Sequence, residues 1–239
     1  HEEGPREGFQ ILKTPIPTTD KVALIQALAT TGLRHIQVCS FVSPRLVPGW
    51  ADAEQVMAEV RPPDGVQFSA LWFNEAGLRR ALAFADRLTL SGSISLSASE
   101  AFSKKNLNRD REGHLEAMRR LTAIHQAENI PVTRISVMAA FGCNFAGDIG
   151  PDQVVQAVAD GQAIAAEAGE AILDIGLADT MGWATPLRIA AAVGAVRDRW
   201  PEARLTLHLH DTRGLGIANA LTGLRLGVTR YDATVGGLG

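Results

Sequence analysis

Residues 171–210 read AILDIGLADTMGWATPLRIAAAVGAVRDRWPEARLTLHLH. An apolar run over 171–176 leads through a loop into a helix-like stretch over 186–200, and a second apolar run over 204–210 closes the unit. Most of the chain's strand candidates, 171–176 among them, are apolar on consecutive positions, the pattern of strands in a parallel sheet covered by helices. Pro186 suits a first helical turn, and Thr185 before it suits a cap. This is a strand–helix–strand unit, and the rest of the chain repeats it.

Working outward, strands are expected also over 34–40, 66–71, 87–90, 132–139 and 230–235. Helices are expected over 19–31, 51–60, 74–85, 109–128, 151–168 and 215–227. Within 151–168, Val154, Val158, Gly161, Ala165 and Ala168 form a stripe at helical spacing. Counting His1-Glu2-Glu3-Gly4 as the remnant of a first strand gives eight strands and seven helices. No Pro/Gly/Ser linker and no composition break interrupts them. The expectation is therefore one α/β domain over 1–239, a (β/α)8 TIM barrel, for which about 250 residues is typical. Little strand precedes Gly4 and nothing follows Gly239, so this barrel is expected to lack most of its first strand and its last helix. An open doubly wound sheet is the competing architecture. It calls for a glycine-rich phosphate turn after the first strand, and Gly4-Pro5-Arg6-Glu7-Gly8 is not one.

Composition narrows the function classes. Of 239 residues, 46% are hydrophobic and 21% charged, which is globular rather than disordered. Lys and Arg number 23 against 26 Asp and Glu, a net of -3, so no basic excess drives nucleic-acid or membrane binding. No apolar run approaches the roughly 20 residues of a membrane span, and no signal peptide is recognised. Cys39 and Cys143 are the only cysteines, which excludes a disulfide framework and favours a reducing compartment. Four basic residues are Lys (13, 21, 104, 105), which with the many Ala suggests a GC-rich bacterial gene. A bacterial cytoplasm is the expected location.

Reactive groups in such barrels sit where strands end. In Leu207-His208-Leu209-His210-Asp211, residues two apart on a strand project to one side. Both imidazoles then enter the mouth together and, with a carboxylate, make a divalent-metal site. The plainer alternative is one packed polar His beside one loop His. Arg6-Glu7 at the end of the first strand can hold an anionic substrate and a cation, or form an ordinary salt bridge. Asp179 stands at the rim in Ala178-Asp179-Thr180-Met181-Gly182, where a capping role is the alternative. Ser103-Lys104-Lys105-Asn106 reads as a loop whose paired Lys attract phosphates or are simply solvated. His35, His114 and His125 read as structural, Cys39 as a buried small hydrophobe, and Cys143 as a loop residue. No P-loop, zinc-ribbon spacing or nucleic-acid motif is present.

Several of these stretches together resemble the 3-hydroxy-3-methylglutaryl-CoA lyase family of metal-dependent acyl lyase and Claisen synthase barrels. They are Gly4-Pro5-Arg6-Glu7-Gly8-Phe9-Gln10, Ser40-Phe41-Val42-Ser43-Pro44-Arg45 and Ser99-Glu100-Ala101-Phe102-Ser103-Lys104-Lys105-Asn106. Gly142-Cys143, Ala178-Asp179-Thr180-Met181-Gly182, His208-Leu209-His210-Asp211-Thr212 and Gly236-Gly237-Leu238-Gly239 continue the series in family order. The resemblance implies cleavage of a C–C bond in a 3-hydroxyacyl-CoA, giving an acyl-CoA and an oxoacid, with Mg2+ or Mn2+ as cofactor. It assigns the metal to His208, His210 and Glu7, catalysis to Arg6 and Asp179, and substrate contacts to Arg6, Gln10, Gln37, Lys104, Asn106 and Thr180. The expected partner is a small-molecule acyl-CoA, the expected assembly a homodimer, with neither nucleic acid nor membrane involved.

The chain departs from the family pattern in three places. Glu7 stands where the family usually has Asp, and Gln37 where it usually has Glu. The family also continues past the position of Gly239 into a loop carrying a catalytic Cys and an Asn metal ligand. The first two departures read as a coupled adaptation of one charge set around Arg6. Two other functions compete: a Claisen-type synthase joining an acyl-CoA to a 2-oxoacid, and a non-catalytic metal-binding relative. The lyase-like 40–44 and 103–106 segments argue against the synthase.

Overall fold

A computed structural model describes residues 1–12 and 14–238; Lys13 and Gly239, which ends the 236–239 match, lie outside the described residues. Two compact units emerge, one of His1–Leu90 with the residues from Asp232 onward, the other of Ser91–Tyr231.

In the first unit, Glu2 bridges Ile36 on one side and Ala233 on the other, both in parallel sense. The amide of Glu2 donates to the His35 carbonyl at 3.0 Å, and the Gln37 amide donates back to the Glu2 carbonyl at 2.8 Å. The opening residues thus do sit as a strand remnant. Helix α1 (Gly4–Ile11) follows at once, so Arg6 and Glu7 lie in its first turns rather than at a strand mouth. Pro5 fixes a helical φ there, and the Glu2 carboxylate accepts from the Gly4 amide at 2.6 Å. Then come α2 (Thr18–Ala29), β1 (His35–Ser40), a 3-10 turn (Pro48–Trp50), α3 (Ala53–Glu59), β2 (Gln67–Leu71) and α4 (Glu75–Leu82). β1 and β2 pair in parallel from His35↔Gln67 to Ser40↔Leu71, with a register shift between Gln37 and Cys39. Ile25, Ile36, Val38, Trp50, Met57 and Phe68 fill the core. Cys39 is buried there as expected, and burial pushes its thiol pKa far up, which keeps it unreactive.

The second unit carries β3 (Gly92–Ser97), α5 (Glu100–Leu107), α6 (Arg111–Ala127), β4 (Val132–Met138), α7 (Pro151–Glu167), β5 (Asp174–Ala178), α8 (Pro186–Arg199), β6 (Arg204–His208), α9 (Gly216–Arg225) and β7 (Arg230–Asp232). The sheet runs β3-β4-β5-β6-β7 in chain order, the ordering a barrel requires. Strand pairs β3–β4, β4–β5 and β5–β6 are all parallel. Thr185 caps α8 as expected, its hydroxyl accepting from the Arg188 amide at 3.3 Å. Val154, Val158, Gly161 and Ala165 of the α7 stripe are buried. Gly161 lets α7 close on β4, since a Cβ there would stand 2.7 Å from Ile135 Cγ2.

Two expectations about this region are corrected. The strand expected over 87–90 is absent, and β3 forms at Gly92–Ser97 instead. There Gly92, Ile94 and Leu96 are buried while Ser93, Ser95 and Ser97 are half-buried. That period-two pattern escapes a search for continuous apolar runs. The 103–106 segment is helix α5 rather than loop. The Ser99 hydroxyl caps it by accepting from the Phe102 amide at 3.2 Å, and Phe102 and Ser103 anchor its buried side.

Among the described residues no helix is long and apolar enough to cross a membrane. His114 and His125 are buried in α6, His125 in its last turn rather than at an element start. Burial pushes the His125 pKa down to about 4 from 6.5. As pH falls from 6.5 towards 4 the unfolded chain takes up this proton first. The stability present above pH 6.5 is then lost progressively, on the order of 3 kcal/mol in full. His125→Gln is expected to flatten the pH dependence of the urea-unfolding free energy between 4 and 6.5 relative to the unmodified chain. Parallel curves for the two proteins would show that His125 does not carry this proton linkage.

Candidate active site

In the second unit the site is built at the C-terminal ends of β5 and β6. Ala178 pairs with His208 as the last register partners. One step further the Asp179 amide donates to the His208 carbonyl at 2.8 Å. β6 ends at His208, so His210 lies past the strand rather than on it. The two rings nevertheless converge, with Nε2 atoms 3.3 Å apart and centroids 5.1 Å apart. Two ligands of one ion, each about 2.1 Å from it, stand at close to this separation. Both rings are half-buried, so the donor set suits a divalent cation. Asp211 Oδ1 accepts from the Gly216 amide at 2.6 Å ahead of α9.

Asp179 is buried, and its Oδ1 accepts from the Trp183 amide at 2.7 Å and the Ala184 amide at 2.9 Å. The capping alternative is therefore real for this one oxygen. Oδ2 is also buried and has no hydrogen-bond partner. Burial raises the Asp179 pKa to about 6, against the opposing pull of the Ala184, Trp183 and His210 amides. Such a carboxyl exchanges a proton near neutral pH, unlike an ordinary Asp.

The turn after Asp179 is tightly held. Gly182 closes it with φ +67, and a Cβ there would stand 2.4 Å from the Thr212 side chain, so only glycine serves. The Thr180 hydroxyl accepts from the Ala139 amide at 2.9 Å. Ala139 itself has φ 52, in the left-handed region. Two cations stand over the Trp183 ring, the Arg188 guanidinium 5.5 Å and the Arg213 guanidinium 5.0 Å from a ring centroid. Lys104 and Asn106 are exposed on α5, Lys104 paired with Glu100 at 2.8 Å. A cavity of about 310 Å³ beside α5 is lined by Ser97, Glu100, Ser103, Arg111, His114 and Asp160 among others, and contains none of the expected site residues.

In the first unit Arg6 is the centre. Its Nη2 lies against the Glu3 carboxylate and 2.7 Å from Glu7 Oε2, while its Nε donates to the Gln37 side-chain oxygen. The Trp50 indole N–H donates to the Arg6 carbonyl at 2.9 Å, fixing the helix turn that presents it. Gln37 sits beside the register shift in β1, a device that re-aims side chains. Arg6, Glu7 and Gln37 are thus brought together, whereas Gln10 is exposed at the far end of α1. Sequence reasoning missed Glu3; its signal was the spacing of three residues from Arg6.

A parallel β/α chain with an arginine–carboxylate cluster, a convergent histidine pair and a buried high-pKa aspartate is the equipment of a barrel lyase. The HMGL-like family model matches residues 1–239, and the chain belongs to that family. The hydroxymethylglutaryl-CoA lyase YngG of Bacillus subtilis is 34% identical over 243 residues, covering 100% of this chain and 76% of that protein. A crystal structure of the Bacillus subtilis HMG-CoA lyase superposes with a TM-score of 0.88 at 34% identity, over 100% of this chain and 76% of that one. An HMG-CoA lyase from Acinetobacter baumannii in complex with coenzyme A and 3-methylmalate gives 0.86 at 33% identity, over 100% and 74%. The fold is the TIM barrel of these enzymes, and the protein is a lyase.

Replacing Thr180 by Val leaves the Ala139 amide without its acceptor in a half-buried turn. A loss of about 1–3 kcal/mol in unfolding free energy is expected, measured in urea, with Thr180→Ser retaining most of it. Equal stability of the Val and Ser variants would remove this hydrogen bond from the account.

Proposed function

We propose that the chain cleaves 3-hydroxy-3-methylglutaryl-CoA, or a thioester differing from it in the group on C3, into an acyl-CoA and an oxoacid. For the methyl compound the products are acetyl-CoA and acetoacetate. The observation that carries the reading is the His208–His210 pair converging beside a buried Asp179 of raised pKa. The lyases named above lend it their substrate class. Residues 1–239 would act as one catalytic domain, in the cytoplasm of a bacterium. We propose a homodimer as its assembly on the resemblance alone.

His208 and His210 would hold a Mg2+ or Mn2+ ion, with Glu7 as the carboxylate that the family pattern puts in its ligand set. When bound, such an ion acidifies the substrate hydroxyl. Asp179 takes part in moving that proton. The electrons of the C2–C3 bond pass to the thioester carbonyl, and the resulting acyl-CoA enolate is protonated at carbon. Arg6 faces the developing negative charge on the thioester oxygen. With its Nε and Nη2 occupied by Gln37, Glu3 and Glu7, Nη1 is the nitrogen left for substrate. Gln10, Gln37 and Thr180 complete the substrate contacts, and Lys104 and Asn106 meet the CoA portion.

The test is a panel of 3-hydroxyacyl-CoA thioesters assayed with Mg2+, Mn2+ and chelator. Release of acetyl-CoA from 3-hydroxy-3-methylglutaryl-CoA, abolished by chelator and restored by metal, is expected. Condensation of acetyl-CoA with a 2-oxoacid, or inertness towards every thioester, would overturn the reading in favour of a synthase or a non-catalytic relative.

Arg6→Lys should lower turnover about a hundredfold or more, on the order of 3–4 kcal/mol, with KM little changed. Near-normal turnover with a raised KM would reduce Arg6 to an anchor for the ground-state substrate.

A further inference from the structure

We infer that Glu3 is the positioning residue for Arg6, supplying from the strand remnant the carboxylate that the family pattern places at position 37. The inference rests on the lyase reading for its catalytic consequence but not for its geometry. Glu3 is 5% exposed and Arg6 8%, so their contact is a buried ion pair with little screening by water. Gln37 meets the same guanidinium through its amide oxygen at Nε, a neutral acceptor where the pattern has an anion. Glu7 lies 2.7 Å from Nη2. On the guanidinium itself, two carboxylates and one amide against one cation leave one net negative charge, with His1 Nδ1 3.6 Å from the other Glu3 oxygen and 3.4 Å from Asp232. A third carboxylate at position 37 would leave it at two, with like charges crowded onto one cation in a buried setting. Position 37 can be an amide because position 3 is an acid.

The placement also has a consequence for Glu7. A carboxylate that must neutralise Arg6 alone is held to it. With Glu3 sharing that role, Glu7 is not the sole counter-charge of Arg6 and, in the lyase reading, can also serve a cation. The longer Glu7 side chain then retains reach to both partners.

The test is a charge transplant read in two ways. In metal-free protein, Glu3→Gln and Gln37→Glu should each lower Tm by roughly 4–8 °C, one by removing a buried ion-pair partner of Arg6 Nη2 and the other by over-crowding the guanidinium. The double variant, which moves the acid from 3 to 37, should return to within about 2 °C of the unmodified chain. Additive shifts overturn the inference. In the thioester assay Glu3→Gln should lose about tenfold or more in kcat with KM nearly constant, and the double variant should recover most of it. A Glu3→Gln protein that loses Tm but keeps its kcat would make Glu3 merely structural and also overturn the inference. If the unmodified chain cleaves no thioester the lyase reading fails, and the Tm cycle still decides whether Glu3 holds Arg6. Should Glu3→Gln not fold on its own, Gln37→Glu and the double variant still decide: a double variant more stable than Gln37→Glu alone is expected, and one no more stable overturns the inference.

Discussion

The Asp179 amide donates to the His208 carbonyl at 2.8 Å, continuing the β5–β6 ladder one step beyond the Ala178↔His208 pair. The juxtaposition of Asp179 and His208 in the second unit depends on that backbone bond. It brings the chain segments of an aspartate and a histidine together without calling on either side chain. A register slip by one residue would turn the paired side chains to the opposite face of the sheet. The register is in turn set by apolar packing, since Ile175, Leu177, Leu205 and Leu207 are all buried in one core with α7 and α8. Helix packing fixes the strand, the strand fixes the rung, and the rung sets the site.

The Asp179 carboxylate shows opposing physical effects with a clear winner. Three backbone amides favour its ionised form, yet burial prevails and its pKa rises to about 6. The two oxygens divide the work: Oδ1 is bound by the Trp183 and Ala184 amides, and Oδ2 is the free one. The first fixes the orientation of the group. In the unfolded chain this acid would titrate near 3.8, so between that value and about 6 the folded state holds the extra proton. The contribution of Asp179 to stability therefore falls as pH rises through this window, opposite in sign to that of His125. A buried acid of this kind is a local cost to folding, which the core around β5 and β6 offsets.

Legibility in the sequence followed how local each determinant is. α8 was readable because Thr185 and Pro186 declare its start. The histidine pair was readable from its spacing of two, although β6 ends at His208 and loop geometry completes the convergence. β3 was not readable, because Ser93, Ser95 and Ser97 dilute the apolar signal and Ser93 pairs instead with the Ser136 hydroxyl at 3.2 Å. α5 was hidden by its exposed Lys104 and Lys105, while its cap and buried residues lie earlier in the segment. The Arg6 cluster depends on strand pairing. Gln37 reaches Arg6 only because its amide bonds the Glu2 carbonyl, which aligns β1 with the opening residues.

That last dependence bears on how the unusual residues at 7 and 37 are to be understood. Taken singly, an amide in place of an acid beside a buried arginine looks like the decay of a site. The cluster argues otherwise. Decay has no reason to keep a guanidinium buried at 8% exposure with two carboxylates against it, since an uncompensated buried charge is strongly destabilising and an apolar replacement would serve packing better. The negative charge has been relocated across one strand pairing, from β1 to the neighbouring strand remnant, with the cation kept in place. Conserving the charge balance while moving its source is how a working site tolerates sequence change, and it sets this chain among catalysts rather than among inert barrels of the same fold.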